Sequence, residues 1–302
     1  NLRVETGAHT MAVLFEGSRA CGVRYRQDGQ VRTLRARREV ILCAGALQSP
    51  QLLQLSGIGP AERLRALGID VQRDLPGVGE NLQDHLLVSS NFRLRPGTLS
   101  VNELSRGLRL MGEVARYAVS RKGLLTLSAA HVAAFCRSRP DLAAPDIQFH
   151  ILPATVDGDA LVRLQKMQLE KLPGISIAVC QLRPESRGHV HIRSADPLAP
   201  PRITPNYLAD PLDRHVIVEG LRWARRIAAA QPLADFIDHQ INPAEDIVSE
   251  EDLLTHARRA GTTLYHPVGT CAMGHGPTAV VDPRLRVHGV AGLRVVDASV
   301  MP

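Results

Sequence analysis

The feature that most constrains the fold is a strand-like run that ends in a glycine turn. Residues 39–44 read Glu-Val-Ile-Leu-Cys-Ala and lead directly into Gly45. Apolar residues that follow one another without alternation are typical of a strand buried on both faces in an α/β sheet. Ser49 and Pro50 then predict a helix, with Ser49 as its N-cap and Pro50 at its first position. Ligands of α/β proteins bind where such a strand meets such a helix.

The middle of the chain predicts a different arrangement. Separated apolar strands, punctuated by prolines, indicate an antiparallel sheet, and they lie at 147–152, 175–179 and 188–192. Asp213 is expected to cap a helix that ends near Ala230 and carries Trp223 in the core. Ser249 is expected to cap a second helix that ends at Gly261. The sequence as a whole therefore predicts a mixed fold of the α/β (α+β) class.

Composition excludes several classes of protein. The chain has 302 residues, of which 44% are hydrophobic, which is enough to build a core. Its net charge is +6, but the cations are dispersed arginines without interleaved aromatic residues, so we expect no nucleic-acid partner. The five cysteines contain no C-x-x-C pair and suit a reducing compartment, which favours the cytoplasm. No apolar run reaches the roughly 18 residues of a transmembrane segment.

Three sequence blocks follow one another in a recognisable order. Gly45–Gly59 reads GALQSPQLLQLSGIG, Tyr265–Gly274 reads YHPVGTCAMG, and Val280–Ser299 begins with VVDP and ends with GLRVVDAS. They resemble, in turn, the second signature, the active-site segment and the return to the flavin domain of the glucose–methanol–choline (GMC) oxidoreductases. This is a family of FAD-dependent alcohol oxidoreductases. The resemblance covers essentially the whole chain and is loosest between residues 94 and 182.

The resemblance implies a domain organisation. Residues 1–85 are expected to form the later part of a Rossmann-like FAD-binding domain, 86–262 a substrate-binding domain with an antiparallel sheet and helices, and 263–302 the return to the FAD-binding domain with the active-site segment. The family begins with a strand, a G-x-G-x-x-G turn and a helix that hold the FAD pyrophosphate, and this sequence contains no such element. Because the sequence starts at Asn1 without a methionine, we expect it to be cut from a longer chain.

His266 is the predicted catalytic residue. Removing hydride from an alcohol carbon requires loss of the hydroxyl proton as well, so the site needs a base beside the flavin ring, and imidazole suits this role. The family places its catalytic histidine here, and its second polar residue, His or Asn, falls beyond Pro302. The resemblance implies further residues in contact with FAD, namely Thr10, Ala44, Gly45, Asp297 and Ala298. Among them, the Asp297 carboxylate is expected to bind a ribose or ribityl hydroxyl.

The other titratable residues of interest are expected to be structural. His189 and His191 lie two apart on a predicted strand, but no Asp, Glu or Cys stands at ligand spacing. We therefore expect a solvated strand face and no metal site. His85 and His288 are assigned to structural turns. Cys271 is expected to pack in the interior and not to act as a nucleophile.

The resemblance also implies a small-molecule alcohol as substrate. In choline-type members a glutamate helps to hold the quaternary ammonium, and alignment of the segment 128–135 places His131 there. Because an imidazole holds a cation poorly, an uncharged alcohol is favoured over choline. Electrons are expected to pass to a quinone or another acceptor. A cytoplasmic location is expected, with peripheral association with a membrane as the alternative.

Two interpretations from different classes remain. The first is a FAD-dependent GMC-type alcohol dehydrogenase, present here as a truncated chain, that oxidises the CH–OH group with His266 as base. The second is a non-catalytic remnant of the substrate domain, or a binding module, without flavin. Since part of the flavin cradle and half of the catalytic pair are absent from the sequence, we expect the isolated chain to bind FAD poorly and to turn over little.

Overall fold

The computed structural model describes residues 2–128, 130–156 and 168–302. Contacts divide the chain into two compact units. The first unit contains residues 1–84, 186–209 and 265–302, and the second contains 85–185 and 210–264. The predicted segments end at residues 85 and 262, and the corresponding segments of the structure end at residues 84 and 264. The prediction has residues 186–209 in the middle segment, whereas contacts group them with the first unit.

The first unit is built from several small sheets. Its three-stranded antiparallel sheet contains β1 (His9–Glu16), β2 (Arg19–Gln27) and β3 (Gln30–Arg35). Two parallel pairs are formed by β4 (Val40–Leu42) with β15 (Leu293–Val295), and by β5 (Ile58–Gly59) with β6 (Arg73–Asp74). An antiparallel hairpin is formed by β11 (His189–His191) and β12 (Arg202–Thr204). The helices of this unit are α1 (Gly45–Leu55), α2 (Ala61–Ala66) and the short 3-10 turn Ala298–Val300.

Strand β4 is buried on one face only. Val40 and Leu42 are buried, whereas Ile41 is 49% exposed. Among the described strands β4 pairs only with β15, so the prediction of burial on both faces is wrong for this chain. The buried face joins a hydrophobic core that includes Leu53 of α1 and Leu293 of β15.

Helix α1 begins five residues earlier than the sequence predicted. It starts at Gly45 and contains Pro50 in its interior, where a proline removes the backbone donor to the carbonyl four residues before it. That carbonyl belongs to Ala46, and the hydroxyl of Thr270 donates to it at 2.6 Å. Ser49 is therefore not the N-cap, and the side chain of a distant residue permits a proline inside the helix.

The hairpin of β11 and β12 lies in the first unit because it is bonded to a loop of that unit. The N–H of Val190 donates to the carbonyl of Gly79 at 2.7 Å, and Leu82 and Gly188 exchange two backbone bonds of 2.9 Å. The prediction that the strand at 188–192 belongs to the large antiparallel sheet is therefore wrong. So is the prediction of a solvated strand face, because His191 is only 2% exposed.

The second unit contains the large antiparallel sheet. Its strand order is β13 (Ile237–Asn242), β7 (Leu86–Leu94), β10 (Gly174–Gln181), β9 (Ile147–Leu152) and β8 (Val132–Cys136), with β14 (Thr262–Thr263) also paired to β7. The predicted strands at 147–152 and 175–179 are thus confirmed in position. Every residue of β10 is buried, which places the core of the unit on both faces of this strand.

Among the described residues of this unit, four α-helices accompany the sheet, namely α3 (Val101–Leu104), α4 (Gly107–Ser120), α5 (Pro211–Ala229) and α6 (Glu250–Ala260). Ser249 caps α6 as predicted, accepting from the N–H of Asp252 at 3.1 Å. Helix α5 is capped by Asp210 and not by Asp213, because the Asp213 carboxylate instead accepts from the N–H of Glu185 at 2.8 Å. Trp223 is partly exposed, with the Arg226 guanidinium 4.5 Å above its ring.

Among the described helices, none combines the length and the apolarity that a membrane crossing requires.

Candidate functional site

The predicted catalytic histidine lies on an exposed turn of the first unit. Tyr265 precedes it with a positive φ of 62°, and the side chains of both residues are exposed. The N–H of His266 donates to one carboxylate oxygen of Asp84 at 2.9 Å. The other oxygen of Asp84 accepts a hydrogen bond from the Tyr207 hydroxyl. Asp84 thus fixes the backbone of the turn while leaving the His266 ring on the surface of the unit.

The segment after His266 is held by a close backbone approach. Gln83 and Val268 exchange two backbone hydrogen bonds, of 3.0 and 2.9 Å. Gly269 has a φ of +92°, and a Cβ atom at this position would lie 2.4 Å from the carbonyl oxygen of Asn81. Only glycine meets both conditions. The glycine of the YHPVG sequence is therefore required by the contact between residues 81–83 and 268–269.

Residues 269–273 then run beside the turn that carries Asp297 and Ala298. The carbonyl of Ala298 accepts from Gly269 at 3.4 Å, that of Ser299 from Cys271 at 2.8 Å, and that of Val300 from Met273 at 2.9 Å. A chain segment of three residues spans at most about 11 Å. His266 is three residues before Gly269, so the fold brings the predicted base close to the predicted flavin-contact turn.

Asp297 occupies the N-terminus of helix α1. One of its carboxylate oxygens accepts from the N–H of Gly45 at 2.9 Å and from the Ser49 hydroxyl at 2.5 Å. The other accepts from the N–H of Ser299 at 2.9 Å. A carboxylate offers about four acceptor positions, so the protein uses three and leaves room for one further donor. The negative charge also complements the helix dipole, which opposes binding of a phosphate at this helix end.

Thr10 and Ala44 line a common cavity of about 220 Å³ between the start of β1 and helix α1. The side chains of Gln48, Leu52 and Pro197 also line it. Its volume is below the roughly 300–1,000 Å³ typical of pockets for a complete small-molecule ligand. The cavity therefore suits one planar ring of a larger molecule, and it ends beside the Gly45 corner.

These observations test whether the residues present fit FAD. The cavity at Thr10 and Ala44 suits the adenine ring, and the remaining acceptor position of Asp297 suits a hydroxyl group of the ribose or ribityl chain. A Cβ atom built on Gly45 would meet nothing within 4 Å, so there is space beside the backbone on that side. The described residues thus fit the adenine ring and one hydroxyl of such a cofactor, while the N-terminus of α1 is already occupied by Asp297 and does not bind its pyrophosphate.

Other predicted residues have the surroundings expected of structural groups. Burial raises the pKa of the Cys271 thiol to about 12, which keeps it protonated and unreactive at neutral pH. A ring nitrogen of His85 lies 3.1 Å from the carbonyl oxygen of Leu182. A ring nitrogen of His288 lies 3.0 Å from that of Gly274.

His131 is exposed and lies just before β8 in the second unit. Its N–H donates to the carbonyl of Ile151 at 3.0 Å. Ala129, which belongs to the segment aligned to place His131, lies outside the described residues. The structure therefore groups five predicted site residues with His266 in the first unit, and it puts His131 in the other.

Three polar residues that support this site were not predicted. Asp84 and Tyr207 hold the His266 turn, and Thr270 pairs the carbonyl that Pro50 leaves without a donor. Asp84 lies one residue before the predicted domain end at residue 85. A negatively charged residue beside a predicted domain boundary was the one available signal. Nothing local indicated Tyr207 or Thr270, because each acts across more than 100 residues of sequence.

Comparison with known proteins agrees with the motifs. The family description GMC oxidoreductase matches the chain twice, over residues 1–87 and 184–302. The chain is 40% identical to an alcohol dehydrogenase [acceptor] of Pseudomonas putida and 40% identical to an oxygen-dependent choline dehydrogenase of Chromohalobacter salexigens. Both alignments cover 100% of this chain, but 54% and 53% of the relatives. The chain thus spans about half the length of the curated relatives it matches.

A solved structure shows the same fold. The R554A variant of formate oxidase from Aspergillus oryzae RIB40, a structure concerned with FAD modification, superposes with a TM-score of 0.88 at 27% identity. The superposition covers 98% of this chain and 56% of that one. Sequence blocks, two family matches and the fold therefore agree, and the chain belongs to the GMC oxidoreductase family.

Proposed function

We propose that this chain supplies the base and part of the flavin cradle of a FAD-dependent oxidoreductase that acts on the CH–OH group of an alcohol. One observation carries the proposal. The backbone ladder from Gly269 to Met273 joins the His266 turn to the Asp297 corner, so that the predicted base and the predicted flavin contacts belong to one compact unit.

His266 acts as the base in this proposal. Its imidazole takes the proton of the substrate hydroxyl, and its position on an exposed turn leaves the ring accessible to a substrate. Asp84 acts as a positioning residue, because its carboxylate binds the N–H of His266 and the Tyr207 hydroxyl and not the substrate.

FAD is the cofactor that accepts the hydride when bound. Thr10 and Ala44 are proposed to hold its adenine ring through the cavity that they line, with Gly45 leaving the backbone open beside it. The Asp297 carboxylate would accept a hydrogen bond from a hydroxyl of the cofactor, and Ala298 lies on the same turn.

The substrate class is proposed from the charge of the predicted pocket residue. His131 offers no carboxylate to a quaternary ammonium ion, and this favours an uncharged alcohol over choline. Identity does not separate the two classes, because the alcohol dehydrogenase and choline dehydrogenase relatives are equally similar to this chain. A quinone or another small acceptor is proposed to receive the electrons.

The experiment uses the full-length protein. We expect a bound flavin absorbance band that is bleached in the absence of oxygen by uncharged alcohols, and more slowly by choline. His266→Asn should keep the flavin and slow this bleaching by about 100-fold or more, the usual contribution of a general base. His275→Asn, at an exposed histidine of the same unit, is the matched control and should leave the rate unchanged.

Two results would contradict the proposal. A full-length protein that folds without flavin would favour the alternative of a non-catalytic remnant or binding module. A flavin-loaded His266→Asn variant that is reduced as fast as the wild type would remove the base from this position. A protein cut to these 302 residues is expected to retain little flavin.

A further inference from the structure

Three side chains of the first unit converge outside the site described above. Glu80 lies in the loop after β6, and His189 and His191 lie on β11. One possible ligand atom from each residue lies within 4.8 Å of the other two. In the described part of the chain, this is the one group of three or more His, Cys, Asp or Glu side chains that meets this condition.

The fold creates this convergence by a close backbone contact. His189 and His191 are two apart on a strand and therefore project to the same side, and their rings stack with centroids 4.8 Å apart. The N–H of Val190, between them, donates to the carbonyl of Gly79 at 2.7 Å. Gly79 has a φ of +85°, and a Cβ atom there would lie 2.2 Å from the Val190 carbonyl oxygen. This approach delivers Glu80 to the histidine pair.

Two of the three side chains already contact each other. The Nε2 atom of His191 lies 2.8 Å from a carboxylate oxygen of Glu80. The His191 side chain is 3% exposed, and that of Glu80 is 48% exposed. The group thus contains a buried imidazole ring, and its carboxylate is in contact with solvent. An ion can reach the group from the solvent on the Glu80 side.

We propose that Glu80, His189 and His191 bind a divalent metal ion of the zinc class. Two imidazole nitrogens and one carboxylate oxygen form a donor set typical of Zn²⁺, with bonds of about 2.0–2.2 Å and a fourth position for water. Ligand atoms around such an ion lie about 3.3–3.6 Å apart, so a separation of 4.8 Å must shorten by about 1.2–1.5 Å, and the 2.8 Å contact between His191 and Glu80 must lengthen by about 0.5–0.8 Å. Rotation of the Glu80 side chain, which is 48% exposed, can provide the second adjustment. Mg²⁺ is disfavoured because it prefers oxygen ligands.

An ion at this position links the hairpin of β11 and β12 to the loop that contains Glu80. This loop continues to Asp84, four residues later, which holds the His266 turn. The proposed ion is a structural cross-link, and the inference does not depend on the proposed oxidoreductase activity. Because the ion binds the folded protein, its binding should raise the melting temperature as its concentration increases.

The test is calorimetric titration of the tag-free full chain with ZnCl₂, after removal of metal with EDTA. We expect one Zn²⁺ per chain at this site, and millimolar Mg²⁺ should not displace it. The matched control variant His239→Ala, which removes an exposed histidine of the second unit, should bind Zn²⁺ as tightly as the wild type. Glu80→Gln and His189→Ala should each weaken binding at least ten-fold and abolish the Zn²⁺-dependent rise in melting temperature.

Both test variants alter side chains that are not fully buried, and their metal-free circular dichroism spectra and melting temperatures report whether they fold. Absence of Zn²⁺ binding by the wild-type chain would overturn the inference. Binding that is unchanged in folded Glu80→Gln and His189→Ala would overturn it equally, since the ion would then lie elsewhere.

Discussion

Two residues at this site stabilise a distant helix, a role that their own segments of sequence do not indicate. Thr270 is fully buried and donates to the carbonyl of Ala46, which Pro50 leaves without its helical partner. Asp297 in turn provides the N-terminal acceptor that α1 lacks from its own preceding residue, Ala44. Helix α1 is thus completed at two points by residues from the last 33 of the chain.

Thr270→Val tests this compensation at the residue scale. The substitution keeps the shape of the side chain but leaves a buried carbonyl without a donor, which costs about 1–3 kcal/mol. Chemical denaturation should show this loss in the free energy of unfolding, and Thr270→Ser should restore most of it. Thr278→Val, at an exposed threonine of the same unit, should have little effect. Equal stability of Thr270→Val and wild type would show that the hydroxyl is dispensable.

At the scale of elements, local signals predicted well and distant contacts did not. Ser249 was predicted correctly because its partner, Asp252, lies three residues away. The start of α1 was misplaced because Ser49 and Pro50 carry the usual start signals, and the contacts that override them come from Thr270 and Asp297. The strand at 188–192 was recognised, but its sheet was not, since backbone bonds to the loop at 79–82 decide its partner.

Gly269→Ala tests the contact between the two segments that frame His266. The positive φ and the 2.4 Å approach to the Asn81 carbonyl leave no space for a methyl group unless the backbone moves. We expect a loss of more than about 1 kcal/mol, above the usual cost of strain at a position with φ > 0. Gly276→Ala, where a Cβ atom would meet nothing within 4 Å, is the matched control. Equal melting temperatures for Gly269→Ala and Gly276→Ala would contradict the importance of this contact.

Helix α6 should make the stability of the protein depend on pH. Burial lowers the pKa of His256, with weaker contributions from Arg259 and Arg225. The unfolded chain therefore binds a proton at His256 more readily than the folded chain does. Stability from this group is present above the unfolded pKa of about 6.5 and is lost as pH falls below it.

His256→Gln removes that titration. The free energy of unfolding of the wild type should fall more steeply between pH 7 and pH 5 than that of His256→Gln, whereas His239→Gln, at an exposed histidine, should follow the wild type. Parallel curves for wild type and His256→Gln would show that His256 does not titrate differently in the folded state.

At the scale of the whole molecule, the sequence motifs predicted the family and the mixed fold, but not the division of the chain. The family blocks are short and contiguous, so they can be read from the sequence directly. The return of residues 186–209 to the first unit depends on pairings between Gly79, Leu82 and the β11 hairpin, which leave no periodic signal. Convergence of Glu80 on His189 and His191 was missed for the same reason, because the carboxylate stands more than 100 residues away in the sequence.

The central claim is that His266 is the base that removes the substrate proton while its neighbours contact the flavin. The most direct measurement is the rate of anaerobic flavin reduction by an alcohol, compared between the full-length protein and its His266→Asn variant. We expect the flavin-loaded variant to be reduced at least about 100-fold more slowly than the wild type, because it lacks the general base. A flavin-loaded variant that is reduced at the wild-type rate would contradict the assignment of His266.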